Sequence, residues 1–205
     1  MGRDRGERAA RPGDLGFLLS SLRDEVLSEG LRGLSRRLRA GHPVDPSALD
    51  DSEYRGVSLG LPRFVERLTW KTFQKTFHRD PATGALRGWN VRVEQRGVDA
   101  RSVPLTKGGE PVTVWHYVVI DPAGQHVPRG CDRGLLLHYG LGRNPPREGV
   151  DRVRDPLVAL VPGSVELLLG WTYLRVAGMN LPSPSFFLLE REGPLSRVVP
   201  PPLVG

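Results

Sequence analysis

The chain has 205 residues, and its apolar fraction of 39% and charged fraction of 25% are typical of a globular protein. No stretch approaches 18 uncharged apolar residues, which excludes a membrane-spanning helix. The net charge of +6 raises nucleic acid as a partner, but 26 of the 29 basic residues are arginine (29 minus three lysines) and they are spread along the chain. Nucleic-acid binding is therefore not predicted.

Residues 1–50 are predicted to form an N-terminal extension that carries an amphipathic helix. Its first segment, Met1–Pro12, is rich in Arg, Gly and Asp and is predicted to be disordered. Asp14 is the predicted N-cap, and Gly30 and Gly33 favour two short helices over one long helix. Two interpretations remain open: the helix packs on the following domain, or it contacts a membrane surface or a partner. Apolar residues recur at helical spacing at Leu15, Leu18, Leu19, Leu22, Val26, Leu27, Leu31, Leu34 and Leu38.

Residues 51–192 are predicted to form one β domain, and residues 193–205 a proline-rich tail. From Tyr54 onward the apolar residues alternate with period two, which is typical of strands. Arg63–Leu68 is predicted to be a helical turn or part of a loop. A face shared by Trp89, Val91 and Val93 indicates one further strand. The other predicted strands are Tyr54–Leu61, Trp70–His78, Val112–Ile120, Gly134–Leu141, Leu157–Val161, Val165–Val176 and Phe186–Arg191.

About eight strands with short connections between most of them favour antiparallel pairing and exclude βαβ crossovers. A sheet of this size closes into a barrel or folds as a sandwich. We prefer the barrel, because eight strands can enclose one small ligand. The predicted fold is therefore mainly β, an antiparallel barrel preceded by an amphipathic α-helix.

Aromatic residues in or beside the strands are the candidate ligand contacts, because small-molecule sites are mostly apolar and aromatic. The same residues could instead fill the core. His116 and His138 each lie mid-strand among apolar neighbours, where they could bind haem iron or carry out acid–base chemistry, or simply face outward. The predicted ligand-binding residues are Trp89, Trp115, His116, His138, Tyr139, Trp171 and Tyr173.

No complete catalytic motif is present. The histidines and the single cysteine form no HxH, HExxH or CxxC pattern, so no metal site is predicted. The carboxylates, Asp155 and Glu190 among them, lie mainly in turns or at strand ends, and no acid–base pair can be assigned from their spacing. Because Cys131 has no disulfide partner and the N-terminus lacks an apolar signal-like run, a cytoplasmic location is predicted.

Two segments carry a family resemblance. Ser52-Glu53-Tyr54-Arg55-Gly56, with Leu59 and Trp70-Lys71-Thr72-Phe73, resembles the GXWXG domain. Asp155-Pro156-Leu157, with Leu169-Gly170 and Phe186–Arg191, is similar to the uncharacterised domain that commonly follows it. Ser52 replaces the first glycine of the motif and Tyr54 its tryptophan, while Gly56 matches. The resemblance implies a fold more than a function.

The glycine–aromatic opening of the sheet also resembles lipocalin-like (calycin) barrels, which bind small apolar molecules; this is an analogy of fold. The leading hypothesis is a lipocalin-like barrel that binds a small hydrophobic ligand without catalysis, with no cofactor assigned. Two alternatives remain. One is a cavity enzyme or haem protein that uses His116 or His138, and the other is an interaction module that acts through the N-terminal helix.

Overall fold

The computed structural model describes residues 12–60 and 70–202. The segment predicted to be disordered, apart from Pro12, and the predicted turn at Arg63–Leu68 lie outside these residues. Within them, no helix is long and apolar enough to cross a membrane.

The N-terminal extension forms two helices, α1 (Pro12–Ser28) and α2 (Leu31–Ala40), with the break at Glu29 and Gly30. Two helices were predicted from the glycines in this stretch, and that prediction is confirmed. The prediction that Asp14 is the N-cap is wrong, because α1 already begins at Pro12. Proline suits a first helical turn, since the N–H that it lacks has no partner there in any case.

Both helices pack on the outer surface of the β domain. Val26, Leu34 and Leu38 are buried there, in one cluster with strand residues such as Leu59 and Phe186. Apolar burial of this kind is the main source of stability for a helix of this length.

A polar contact adds to this packing on α1. Arg23 Nε donates to Glu190 Oε2 over 3.0 Å, and Arg23 Nη2 donates to Asp99 Oδ1 over 2.6 Å. Phe17 and Leu18, also on α1, are exposed.

Eight strands form a closed barrel in which all neighbours are antiparallel, and a short hairpin of two further strands lies apart from it. This confirms the predicted mainly β, eight-stranded antiparallel barrel. Each barrel strand pairs with the next along the chain, and β1 pairs with β10 to close the ring. The strands are β1 (Ser52–Leu59), β2 (Thr72–Arg79), β3 (Leu86–Val91), β4 (Thr106–Lys107), β5 (Glu110–Pro111), β6 (Thr113–Ile120), β7 (Leu135–His138), β8 (Val153–Ala159), β9 (Leu167–Val176) and β10 (Met179–Pro194).

Several strand boundaries differ from prediction, among them the end of β7 and the starts of β8 and β10. Strand β7 ends at His138, because Tyr139–Leu141 turns into a 3₁₀ helix. Strand β8 begins at Val153, ahead of the predicted Leu157, since its first half contains polar residues and Pro156 and does not read as a strand. Strand β10 begins at Met179, ahead of the predicted Phe186, in a stretch where prolines obscure the alternation.

Two glycines make room for aromatic rings inside the barrel. A Cβ on Gly56 would lie 2.3 Å from the Phe73 ring, and one on Gly170 would lie 2.1 Å from the Phe187 ring. These distances are far shorter than a van der Waals contact, so only glycine fits. The two rings can therefore lie inside the barrel, 6.1 Å apart between centroids.

The two ends of the barrel differ. The connector between α2 and β1 covers the end where β1 begins, and its Val44 and Leu49 are buried in the interior core. A backbone bridge between His42 and Ala159 holds the connector there. At the opposite end the rings of Trp70 and Trp115 lie 5.4 Å apart.

Candidate ligand site in the barrel interior

A buried lysine stands at the centre of the barrel interior. Side chains alternate along a strand, so Lys75 shares the inward face of β2 with Phe73 and Phe77. It is only 2% exposed. Lysine is almost never fully buried unless it is paired, which makes this position unusual for a barrel core.

Three polar side chains surround the lysine ammonium. Lys75 Nζ donates to Asn90 Oδ1 over 2.9 Å and to the Tyr139 hydroxyl over 2.8 Å, and it lies 3.8 Å from Asp155 Oδ2. The Tyr139 hydroxyl in turn donates to Asp155 Oδ2 over 2.8 Å. We call Lys75, Asn90, Tyr139 and Asp155 the interior cluster.

The interior cluster is assembled from distant parts of the sequence. Lys75 comes from β2, Asn90 from β3, Asp155 from β8, and Tyr139 from the turn after β7. Because adjacent strands run in opposite directions, the end of β3, the end of β7 and the start of β8 meet at one end of the barrel. The cluster therefore lies in the half opposite the Val44–Leu49 connector.

Aromatic rings enclose the lysine ammonium. Lys75 Nζ lies 4.7 Å from the ring centroid of Tyr117, 5.0 Å from that of Phe187 and 5.3 Å from that of Tyr139. Rings at these distances attract a cation through their quadrupole, and the attraction is stronger where water is excluded. They also form an apolar wall around this half of the barrel interior.

Burial shifts the ionisation of the interior cluster. Burial lowers the pKa of Lys75 to about 8, and the Asp155 carboxylate opposes this shift. Burial raises the pKa of Asp155, and the Lys75 ammonium opposes that shift. Each charge is therefore tolerated mainly because the other is present.

One oxygen of the interior cluster has spare capacity to accept a hydrogen bond. Among the described residues, no hydrogen bond of normal geometry reaches Asp155 Oδ1, although the nearby Thr172 hydroxyl helps to keep the pKa of this carboxyl down. A buried carboxylate oxygen without a donor is costly, so each such atom requires an explanation. A donor group on a bound molecule would supply the missing hydrogen bond.

Of the seven predicted ligand-binding residues, the structure places Tyr139 in the interior cluster. Trp89, 1% exposed, neighbours Asn90 on β3 and so faces the opposite side of the sheet, where it packs against His116. Trp171 stacks on Phe186 beside α2, outside the barrel. Trp115 is 40% exposed beside Trp70.

His138 and Tyr173 also point away from the interior, into a surface cleft on the outer face of β7, β8 and β9. The register pairs His138 with Val118 rather than with His116, so the two histidines do not sit directly opposite each other. The described residues contain no group of three or more His, Cys, Asp or Glu side chains that could hold a metal ion.

Sequence reasoning missed Lys75, Asn90 and Asp155 as site residues. The sequence did carry a signal for Lys75. It lies two residues after Phe73 and two before Phe77, so period two places it on the same strand face as these rings. Asn90 carries no such signal, because its neighbours Trp89 and Val91 look better suited to an interior, and Asp155 carries none because no apolar alternation passes through Arg154-Asp155-Pro156.

The fold and the site define a closed antiparallel barrel with a charged pair buried inside it. No family model, curated protein or solved structure matches this chain. Its function is therefore inferred from the geometry of the site.

Proposed function

We propose that this protein binds a small, mainly apolar molecule inside the barrel, with a polar group of that molecule held by the interior cluster. The observation that carries the proposal is the buried Lys75–Asp155 pair within a shell of aromatic rings. A barrel that only has to fold does not need such a pair, because apolar residues of similar volume in its place often make a protein equally or more stable. Ligand sites, in contrast, combine an apolar lining with a few placed polar groups.

The polar group of the ligand is uncharged. Lys75 and Asp155 already neutralise each other, so a charged ligand would bring an unpaired charge into an interior of low dielectric. A carbonyl or hydroxyl oxygen can accept from the third N–H of Lys75, since the other two go to Asn90 and Tyr139, and a hydroxyl can also donate to Asp155 Oδ1. The chemical class that fits is an apolar or aromatic alcohol, ketone or aldehyde.

A neutral fluorescent ketone tests this proposal. Prodan, an aromatic ketone whose emission shifts to the blue in apolar surroundings, is titrated into the full chain. We expect saturable binding that Tyr139→Phe weakens about 3- to 10-fold, because this variant removes the hydroxyl that links Lys75 Nζ to Asp155 and so positions the ammonium that donates to the ketone; one neutral hydrogen bond is worth roughly 0.5–1.5 kcal/mol. Binding of the anionic probe 1-anilinonaphthalene-8-sulfonate should be weaker.

Tyr54→Phe is the matched control for this experiment. It removes the same atom from a second interior tyrosine, whose ring packs edge-on against Phe77 and lies outside the interior cluster. This variant should bind Prodan as the wild type does. The proposal fails if Prodan shows no saturable binding, or if the two tyrosine variants weaken it equally.

A second candidate function is covalent capture of a carbonyl compound by Lys75. The observation that favours it is the lowered pKa of a lysine next to a hydroxyl and a carboxylate. The neutral amine would attack the carbonyl carbon of an apolar aldehyde. Loss of one water molecule then leaves a C=N bond, and the protonated imine would take the place of the ammonium beside Asp155.

Reductive trapping tests this candidate, because the chain has only three lysines. The protein is incubated with cinnamaldehyde and sodium cyanoborohydride, digested and analysed by mass spectrometry. We expect the adduct on Lys75 to form faster at pH 8 than at pH 6, since the neutral amine is the nucleophile. The exposed Lys107 is the internal reference: labelling of Lys107 without Lys75 would contradict capture while leaving non-covalent binding intact.

A further inference from the structure

A second site lies on the outside of the barrel, where the connection between β6 and β7 covers the outer face of β7, β8 and β9. It is a cleft of about 160 Å³. The polar residues that line it are Gln125, His126, His138, Arg154, Tyr173 and Arg175.

Among the residues that the structure describes, the two arginines of this cleft have no carboxylate partner. Arg154 Nη1 donates to the backbone carbonyls of Asp151 and Val153, over 2.7 Å each, and Arg175 Nη1 donates to Asn180 Oδ1 over 2.9 Å. Across the described residues, no Asp or Glu oxygen lies within ion-pairing distance of either guanidinium, and the charge of Asp151 acts on Arg154 only from farther away. The positive charge of the two guanidinium groups in the cleft is therefore not neutralised by a carboxylate of the described residues.

The pKa shifts of Arg154 and His138 agree with an uncompensated positive charge in the cleft. Burial lowers the pKa of Arg154, and the charge of Arg175 lowers it further, against the opposing influence of Tyr173 and Asp151. Burial and the charge of Arg154 lower the pKa of His138 to about 4, so its ring is neutral at pH 7. An anion placed between these groups would relieve the repulsion between the two arginines.

The His138 ring lines the same cleft. Its Nδ1 is buried and, apart from its own backbone, has no hydrogen-bond partner among the described residues. A neutral imidazole can carry its proton on either nitrogen, so the ring can donate one hydrogen bond to an anion in the cleft. A planar guanidinium presents paired donors that match the oxygens of phosphate or sulfate.

We infer that this cleft, named here the anion pocket, binds a single tetrahedral oxyanion such as phosphate or sulfate, with Arg154, Arg175 and His138 as donors. The inference does not depend on the interior site. Arg154 and Asp155 are consecutive on β8 and face opposite sides of the sheet, so each site can be altered separately.

Isothermal titration of inorganic phosphate into the full chain, in a chloride buffer, tests the anion pocket. We expect saturable binding that Arg175→Gln weakens about tenfold or more, as befits the loss of a charge-assisted hydrogen bond. His138→Leu, which keeps both arginines, should weaken it by a smaller factor. Arg133→Gln is the matched control, because Arg133 is exposed and lies in the same connection but does not line the pocket.

Phenyl phosphate is titrated in parallel to separate the two sources of such an oxyanion. Binding comparable to that of inorganic phosphate assigns the pocket to the terminal group of a larger molecule, whereas loss of binding assigns it to the free anion. The inference is overturned if the wild type shows no saturable binding of phosphate. It is also overturned if Arg175→Gln and Arg133→Gln bind phosphate equally well, provided that circular dichroism shows both variants folded.

Discussion

At the scale of single residues, the most informative feature is the mutual dependence of Lys75 and Asp155. Each is 2% exposed, and each has its pKa shifted by burial toward its neutral form. Removing one partner of a buried ion pair leaves an uncompensated charge, whereas removing both leaves an apolar site that packs normally. The pair should therefore show strong energetic coupling.

We expect Lys75→Met and Asp155→Leu each to lower the free energy of unfolding by about 3–5 kcal/mol. The double variant should be more stable than either single variant, since it leaves no unpaired buried charge. Urea denaturation of the four proteins in a double-mutant cycle measures the coupling. Additive losses would show that the two charges do not depend on each other.

The comparison of Trp89 with Asn90 shows why sequence alone did not locate the interior cluster. These neighbours on β3 face opposite sides of the sheet, and the asparagine faces inward. Apolar character normally marks the inward face of a strand, but the outward-facing Trp89 is buried against the His116 ring and under the Arg87 guanidinium. Tyr139 was predicted because it is aromatic, whereas the pairing of Lys75 with Asp155 became recognisable only once three strands and the turn after β7 had been brought together.

At the scale of elements, α2 is held to the barrel by two leucines. Leu34 and Leu38 are buried against the outer face, although the helix is short and arginine-rich, and its N-cap Gly30 provides no side-chain hydrogen bond. The stability of α2 as an isolated helix is therefore low, and packing on the barrel must provide most of the free energy that keeps it helical.

Leu34→Ala should consequently lower the free energy of unfolding by about 2–5 kcal/mol, as expected for a fully buried leucine. Leu18→Ala, at an exposed position of α1, provides the comparison and should change it by less than about 0.5 kcal/mol. Guanidinium denaturation followed by circular dichroism measures both. Equal effects at the two positions would indicate that α2 is not anchored through Leu34.

The strands were easier to predict than the faces they present. Alternating apolar residues identified β2, β6 and β9 to within a few residues, since period two depends only on neighbouring positions. The start of β10 was missed because its pairing with β9 depends on contacts along the whole hairpin and tolerates prolines that a local pattern reads as breaks.

At the scale of the whole molecule, the number of strands followed from the period-two runs, and their antiparallel pairing followed from the short connections. Closure of the barrel did not follow from them, because it depends on β1 meeting β10. Local signals carry no information about a contact between segments so far apart in sequence. The sequence also left the ends of the barrel undetermined, so the connector that covers one end, through Val44 and Leu49, was not foreseen.

The pairing of β1 with β10 also has a consequence for the order of folding. Within the described residues, every other barrel pairing joins strands that follow each other along the chain, so the meander can grow one hairpin at a time. Only the pairing of β1 with β10 requires the two ends of the domain to meet, so forming it costs more chain entropy than forming any other pair. Until it forms, β1 and β10 each present an unpaired edge, which is the surface through which partly folded barrels associate with one another.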